Sequence, residues 1–155
     1  MSVVTIERKV LEKNDAFAAM NRDALVRQGV FTINMVSSPG AGKTTLLERT
    51  IAHLGGALSL AVVEGDVQTD LDAQRVAKYG LPVVQIVTNG GCHLEARLVQ
   101  DALSRLDLSA TDVLVIENVG NLVCPANFDL GEDLKVVVLS VTEGDDKPLK
   151  YPAMF

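Results

Sequence analysis

Apolar and polar positions along the chain fall into blocks of two periods. In the first 29 residues, Ile6, Val10, Phe17, Met20 and Ala24 recur at near-helical spacing on a polar background. This predicts a helical lead, with Asn14 as an internal cap and Gly29 as its stop. Five short apolar runs follow, at about 30–36, 59–63, 83–87, 112–116 and 135–141. Three of them, VVQIV, DVLVI and KVVVL, are nearly unbroken, as expected of parallel strands covered on both faces. Helical patterns lie between the runs at about 44–54, 70–79 and 93–106. The alternation predicts an α/β fold, a parallel sheet flanked by helices. Residues 30–155 form its one domain behind the 1–29 lead, and ligands are expected beyond the carboxyl ends of the strands.

Composition narrows the class. A chain of 155 residues with 48% apolar and 22% charged residues is that of a folded protein with a real core. A net charge of −6 argues against non-specific binding to nucleic acid or acidic membranes. No apolar run approaches the ~20 residues of a membrane span. The opening MSVVTIERKVLEKND lacks the basic start and apolar centre of a signal peptide. The chain is therefore expected in the cytoplasm, with its two cysteines as reduced thiols.

The chemistry concentrates at the strand ends. SSPGAGKTTLLE, residues 37–48, joins the first strand to a helix in the order of a phosphate-binding loop, with Ser37 where G-x-x-x-x-G-K-S/T has its first glycine. Gly40 and Gly42 let the backbone approach an anion. The N–H groups around Ala41 and the helix start, with Thr45, then face the β- and γ-phosphates. Lys43 supplies a point charge and the Thr44 hydroxyl a ligand for Mg2+. A glycine-rich turn that holds no ligand is the competing reading.

After the second strand comes VEGDVQTDLDAQR. Its acids Glu64, Asp66, Asp70 and Asp72 suit a solvated helix start, and Asp70 and Asp72 are read as that. Asp66, at the strand end, is the candidate to bind Mg2+ or to orient an attacking water. After the fourth strand, Glu117 and Gly120 have the spacing of a D-x-x-G switch with Glu for Asp. The acid there acts on Mg2+, and the Gly120 N–H senses the γ-phosphate. Cys92 and His93 follow the third strand on a glycine-loosened loop, and Cys124 lies on the neighbouring strand-end loop. Two thiolates and an imidazole make a partial site for Zn2+ or Ni2+. Water, another side chain or a second subunit's copy of the site would complete it.

Taken together, KNDAFAAMNR, SSPGAGKTTLLE, EGDVQTDLDAQR, GGCHLEA, ENVGNLVCPANFDLG and SVTEGDDKPLKYPAMF resemble the HypB-type GTPases that assist nickel insertion into nickel–iron hydrogenase. These segments run almost from end to end. The resemblance implies a P-loop GTPase fold of the SIMIBI kind, hydrolysis of GTP to GDP with Mg2+, and nucleotide-linked homodimerisation. It also implies a Ni2+ or Zn2+ site of Cys92, His93 and Cys124 at the dimer interface. The partners implied are a HypA-type nickel chaperone and the hydrogenase large-subunit precursor, with no nucleic acid and no membrane. Urease-type nickel GTPases, which carry C-P-H and lack a match to NVGNLVCP, are the nearer competitor. A nucleotide-independent metal-binding module and a small-molecule P-loop kinase are more distant competitors. Two departures stand out. No cysteine or histidine cluster precedes His53, and no N-K-x-D guanine motif occurs in the 155 residues, so the chain is expected to be a C-terminally incomplete form of the domain.

Overall fold

The computed structural model describes residues 6–54 and 56–155, so the first five residues of the helical lead lie outside it. The element order is α1 (Ile6–Arg27), β1 (Phe31–Ser37), α2 (Lys43–Leu54), β2 (Leu60–Asp66), α3 (Leu71–Ala77), β3 (Val83–Val87), α4 (Ala96–Leu103), β4 (Val113–Glu117), β5 (Leu134–Val138) and a single turn, α5 (Lys147–Lys150). The five strands form one sheet in the order β3-β2-β4-β1-β5, and each pair is parallel. Every crossover therefore carries the chain back to the amino-terminal rim of the sheet, and the carboxyl ends of all five strands share the opposite rim.

Alternation along the strands divides the core. Ala61, Val63, Leu114 and Ile116 face one side, packed with Leu25 of α1 and Val99, Ala102 and Leu103 of α4. Val62 and Val115 face the other, against Leu47 and Ile51 of α2 and Val76 of α3. Most of these side chains are fully buried, which is why the runs lack polar alternation.

The helical lead is one unbroken helix, and its buried stripe differs from the predicted one. Asn14, Ala18, Asn21 and Leu25 are buried, whereas Val10 and Met20 are about half exposed, and the side chain of Ile6 lies outside what is described. Asn14 is not an internal cap. Its Nδ2 donates to the Asp129 carbonyl at 2.7 Å, and its Oδ1 accepts from the Ala96 N–H at 2.8 Å. Asn21 Nδ2 donates to the carbonyls of Ala96 and Leu130. The inward face is thus half polar and answers to backbone groups of distant loops, which hydrophobic periodicity does not register. Gly29 does stop the helix, at φ 70°.

Other boundaries shift for local reasons. β2 runs on to Asp66, placing Glu64 within the sheet. α4 begins only at Ala96, which leaves Cys92 and His93 on a loop. β5 ends at Val138. Val141 instead starts a single 3-10 turn, capped reciprocally by Ser140 and Glu143.

Candidate nucleotide and metal sites

At the rim, Ser37 ends β1 with its side chain buried, and the chain turns through Gly40 (φ 73°) and Gly42 (φ 97°) into α2. Both glycines occupy the left-handed region that other residues resist, so their identity follows from the loop's shape. The loop opens a cleft of about 270 Å³ lined by Gly40, Ala41, Gly42, Lys43, Thr44, Thr45, Asp72, Arg75 and Glu117. Lys43 Nζ donates to Ser37 Oγ at 3.1 Å, which lays the ammonium across the mouth of the loop. Thr44 Oγ1 donates to Glu117 Oε1 at 2.6 Å. Gly120 lies against the loop, so closely that a Cβ there would sit 2.9 Å from Pro39 Cα.

Six of the expected phosphate-loop residues and Glu117 therefore converge on one cleft. Asp66 is not among the residues lining it. Its Oδ1 accepts from the Val67 N–H and its Oδ2 from Thr69 Oγ1 at 2.6 Å, a self-contained turn that directs the carboxylate onto its own backbone. Asp72, read from sequence as a solvated helix start, reaches the cleft instead. Arg75 joins it there, bonded to Asp72, Glu48 and Thr45.

Glu64 is the residue that sequence reasoning passed over. It pairs in register with Glu117 across β2 and β4, and the two are 2% and 3% exposed. Burial, with the neighbouring Glu117 second, pushes the Glu64 carboxyl up to about 10, so it is neutral at pH 7. Its signal was an acid inside the apolar stretch AVVEGD, but only the register shows that it meets Glu117.

The second cluster sits on the same rim. Cys92, His93 and Cys124 bring their ligand atoms within 4.8 Å of one another. Cys92 Sγ lies 3.5 Å from His93 Nδ1. The imidazole packs on Phe128 at 3.9 Å between ring centroids, and its Nε2 is buried without a hydrogen-bond partner. Desolvation lowers the His93 pKa, only partly offset by Glu95, so the ring is held in the neutral form that binds metals. The expectation of two reduced thiols differs from the structure, where Cys92 and Cys124 are joined as a disulfide with Cα atoms 6.1 Å apart. The reason is geometric: two cysteines with Cα atoms at this separation can either share one soft metal ion or, with a small movement of the side chains, bond to each other.

The two sites are physically joined. Asn118 follows Glu117, and its buried Oδ1 accepts from the N–H groups of Val119 and of Leu94, the neighbour of His93. Its Nδ2 donates to Asn34 Oδ1, and Asn34 Nδ2 donates to Glu132 Oε1.

The CobW/HypB/UreG nucleotide-binding domain family matches residues 31–151. The hydrogenase maturation factor HypB of Rhizobium leguminosarum bv. viciae is 58% identical over 153 residues, covering 99% of this chain. That of Escherichia coli (strain K12) is 53% identical over the same length. The crystal structure of HypB from Helicobacter pylori in complex with nickel superposes with a TM-score of 0.87 at 46% identity, over 92% of this chain and 67% of that one. The chain belongs to the HypB group of this family. HypB from Archaeoglobus fulgidus gives a TM-score of 0.84 at 42% identity, over 92% of this chain and 70% of that one. The chain spans about half the length of the two curated relatives, 51% and 53%. Among the HypB features expected from sequence, the parallel sheet with its phosphate loop is thus established. No described helix is long and apolar enough to cross a membrane.

Proposed function

We propose that this chain is the nucleotide-binding part of a cytoplasmic GTPase that carries nickel to a nickel–iron hydrogenase precursor. Membership of the HypB group supports the class of work. The observation that carries the reading is the single loop from Glu117 to Cys124: it starts at the phosphate cleft and ends in the Cys92–His93–Cys124 cluster. In this reading GTP lies in the cleft with its phosphates on the backbone of residues 40–45 and on Lys43. Thr44 and Glu117 would hold Mg2+, and they fit it: a hydroxyl and a buried carboxylate meet, and Glu117 Oε2 has no hydrogen-bond partner. When bound, Mg2+ supplies charge neutralisation at the β- and γ-phosphates.

The chain's own groups divide the remaining work. Lys43 offsets charge on the γ-phosphate, and the glycines at 40 and 42 let the N–H groups approach it. Gly120, in contact with Pro39, is placed to register the γ-phosphate and pass its loss along the loop. Asp66 keeps the role of orienting water only if its turn opens. Nickel is cargo, taken by Cys92, His93 and Cys124 after their disulfide is reduced; Zn2+ suits the same donors. A homodimer would bring two such clusters together, and a HypA-type chaperone and the large-subunit precursor are the donor and recipient of the metal.

One observation favours a second reading, a metal-binding module that does not hydrolyse nucleotide: Asp66 is tied into its own turn. Equilibrium binding of a fluorescent GTP analogue, with and without Mg2+, followed by phosphate-release kinetics, separates the two. Mg2+-dependent binding with turnover is expected. Metal binding without nucleotide binding would leave only the module.

A further inference from the structure

His93 and Cys124 come from different loops, and an aromatic ring joins those loops at the cluster itself. A 3-10 turn, Cys124–Asn127, carries the thiol at its first position and is followed directly by Phe128. The Phe128 ring lies on the His93 imidazole, with 3.9 Å between centroids and a tilt of 31°. The turn is well anchored. Lys135 Nζ donates to the carbonyls of Pro125 and Ala126. Arg22 Nη2 donates to both carboxylate oxygens of Asp129, the neighbour of Phe128, at 2.8 and 2.9 Å.

A metal-binding imidazole is usually oriented through its second nitrogen, by a hydrogen bond to a carboxylate, a carbonyl or water. His93 lacks that support from the protein. Its Nδ1 faces Cys92 Sγ at 3.5 Å, while Nε2 is buried without a partner. Glu95 Oε1 stands 3.8 Å from Nε2, beyond hydrogen-bond distance. Packing therefore sets the direction of the ring, and Phe128 supplies it. Phe128 has little other use in the fold. It is half-buried, lines a cavity of about 390 Å³ with His93 and Cys124, and belongs to none of the apolar clusters among the described residues.

We infer that Phe128 is a positioning residue of the metal cluster: stacked on His93, it keeps Nδ1 turned toward Cys92 and Cys124 when the two sulfurs are not bonded to each other. The disulfide and the stack are two links between the same loops. Reduction, which metal binding requires, removes the first and leaves the second. Without the ring, the imidazole regains rotation about χ2, and a metal ion has to reorder it on binding. The inference rests on the metal reading of the Cys92, His93 and Cys124 cluster.

The test uses the reduced protein with Zn2+ as the probe, and measures affinity by competition against a chelating dye for the parent, Phe128→Leu and Phe128→Tyr. Leucine keeps the apolar bulk but cannot stack, and tyrosine keeps the ring face. Zn2+ affinity should fall about 10-fold in Phe128→Leu, the lower end of what loss of an orienting outer-shell partner costs. Phe128→Tyr should retain most of the parent's affinity. By NMR, the His93 ring protons of the reduced, metal-free parent should be shifted upfield by the phenyl face, and the shift should vanish in Phe128→Leu. Parent-like affinity in Phe128→Leu would overturn the inference. Equal loss in Phe128→Leu and Phe128→Tyr would overturn it too, because the ring face would then not be what matters. So would unshifted His93 protons in the parent, whatever the variants do. A reduced parent that binds no Zn2+ would instead overturn the reading of the cluster, and the inference with it.

Discussion

The residues of the proposed phosphate site are neighbours in the chain, whereas the Cys92, His93 and Cys124 cluster draws on two segments 32 residues apart. The loop's shape comes from two glycines in left-handed conformations and a helix that starts at Lys43. The cluster's shape comes from the sheet: β3 and β4 end at the same rim, and Asn118 ties their loops together. A locally encoded site should tolerate changes elsewhere and fail on one local change. A site assembled by tertiary contacts should respond to changes well away from its ligands.

The largest expected effect breaks the local side. Lys43→Ala should remove tight triphosphate binding, a loss of about 100-fold or more if the charge-assisted contacts are worth ~3 kcal/mol. The melting temperature should hardly move, because the bond from Lys43 Nζ to Ser37 is a small part of what holds the fold. Calorimetric titration and thermal unfolding check the two halves. Thr44→Val should lower affinity in Mg2+ only.

On the assembled side, the disulfide would make the proposed metal binding conditional. Thiolates bind metals and disulfides do not. Zn2+ or Ni2+ should therefore bind after treatment with a phosphine reductant and fail to bind the oxidised protein. Cys92→Ala and Cys124→Ala should each abolish tight binding. Followed by thiolate-to-metal absorbance, equal binding in oxidised and reduced protein would remove the two cysteines from the site.

Much of this contrast could be read in the sequence. SSPGAGKTT gives its own geometry, and the near-continuous runs VVQIV and DVLVI announce buried parallel strands. The Cys92, His93 and Cys124 cluster was legible only as adjacent loops. Its closure came from strand order and from Asn118, which local pattern does not encode. The buried stripe of α1 was misplaced because Asn14 and Asn21 are polar residues on an inward face. Glu64 was hidden because a one-strand pattern cannot show which residue lies opposite.

Those hidden residues give the smaller effects. Asn14→Ala would leave the Asp129 carbonyl and the Ala96 N–H without their partner, costing about 1–3 kcal/mol in unfolding free energy by denaturant titration. Because Ala96 lies just beyond His93, metal affinity should fall as well. Glu64→Gln should act in the opposite direction. The folded protein keeps the Glu64 proton up to about pH 10, while the unfolded chain releases it near the ordinary value of 4.5. Folding is therefore penalised increasingly as pH rises from 4.5 toward 10. The glutamine variant should match the parent near pH 4 and melt several degrees higher at pH 8, at roughly 2–4 °C per kcal/mol for a domain of this size.

The central claim is that the two sites move as one through the loop from Glu117 to Cys124. The direct measurement is a Zn2+ or Ni2+ titration of the reduced protein loaded with GTPγS and, separately, with GDP. Linkage makes any difference reciprocal, so nucleotide affinity must change with metal by the same factor, about 5- to 150-fold for a coupling of ~1–3 kcal/mol. Asn118→Ala should remove the difference while leaving both sites able to bind. Superimposable titrations in the two nucleotide states of the parent protein would show that the loop joins the sites in sequence alone, and would contradict the account.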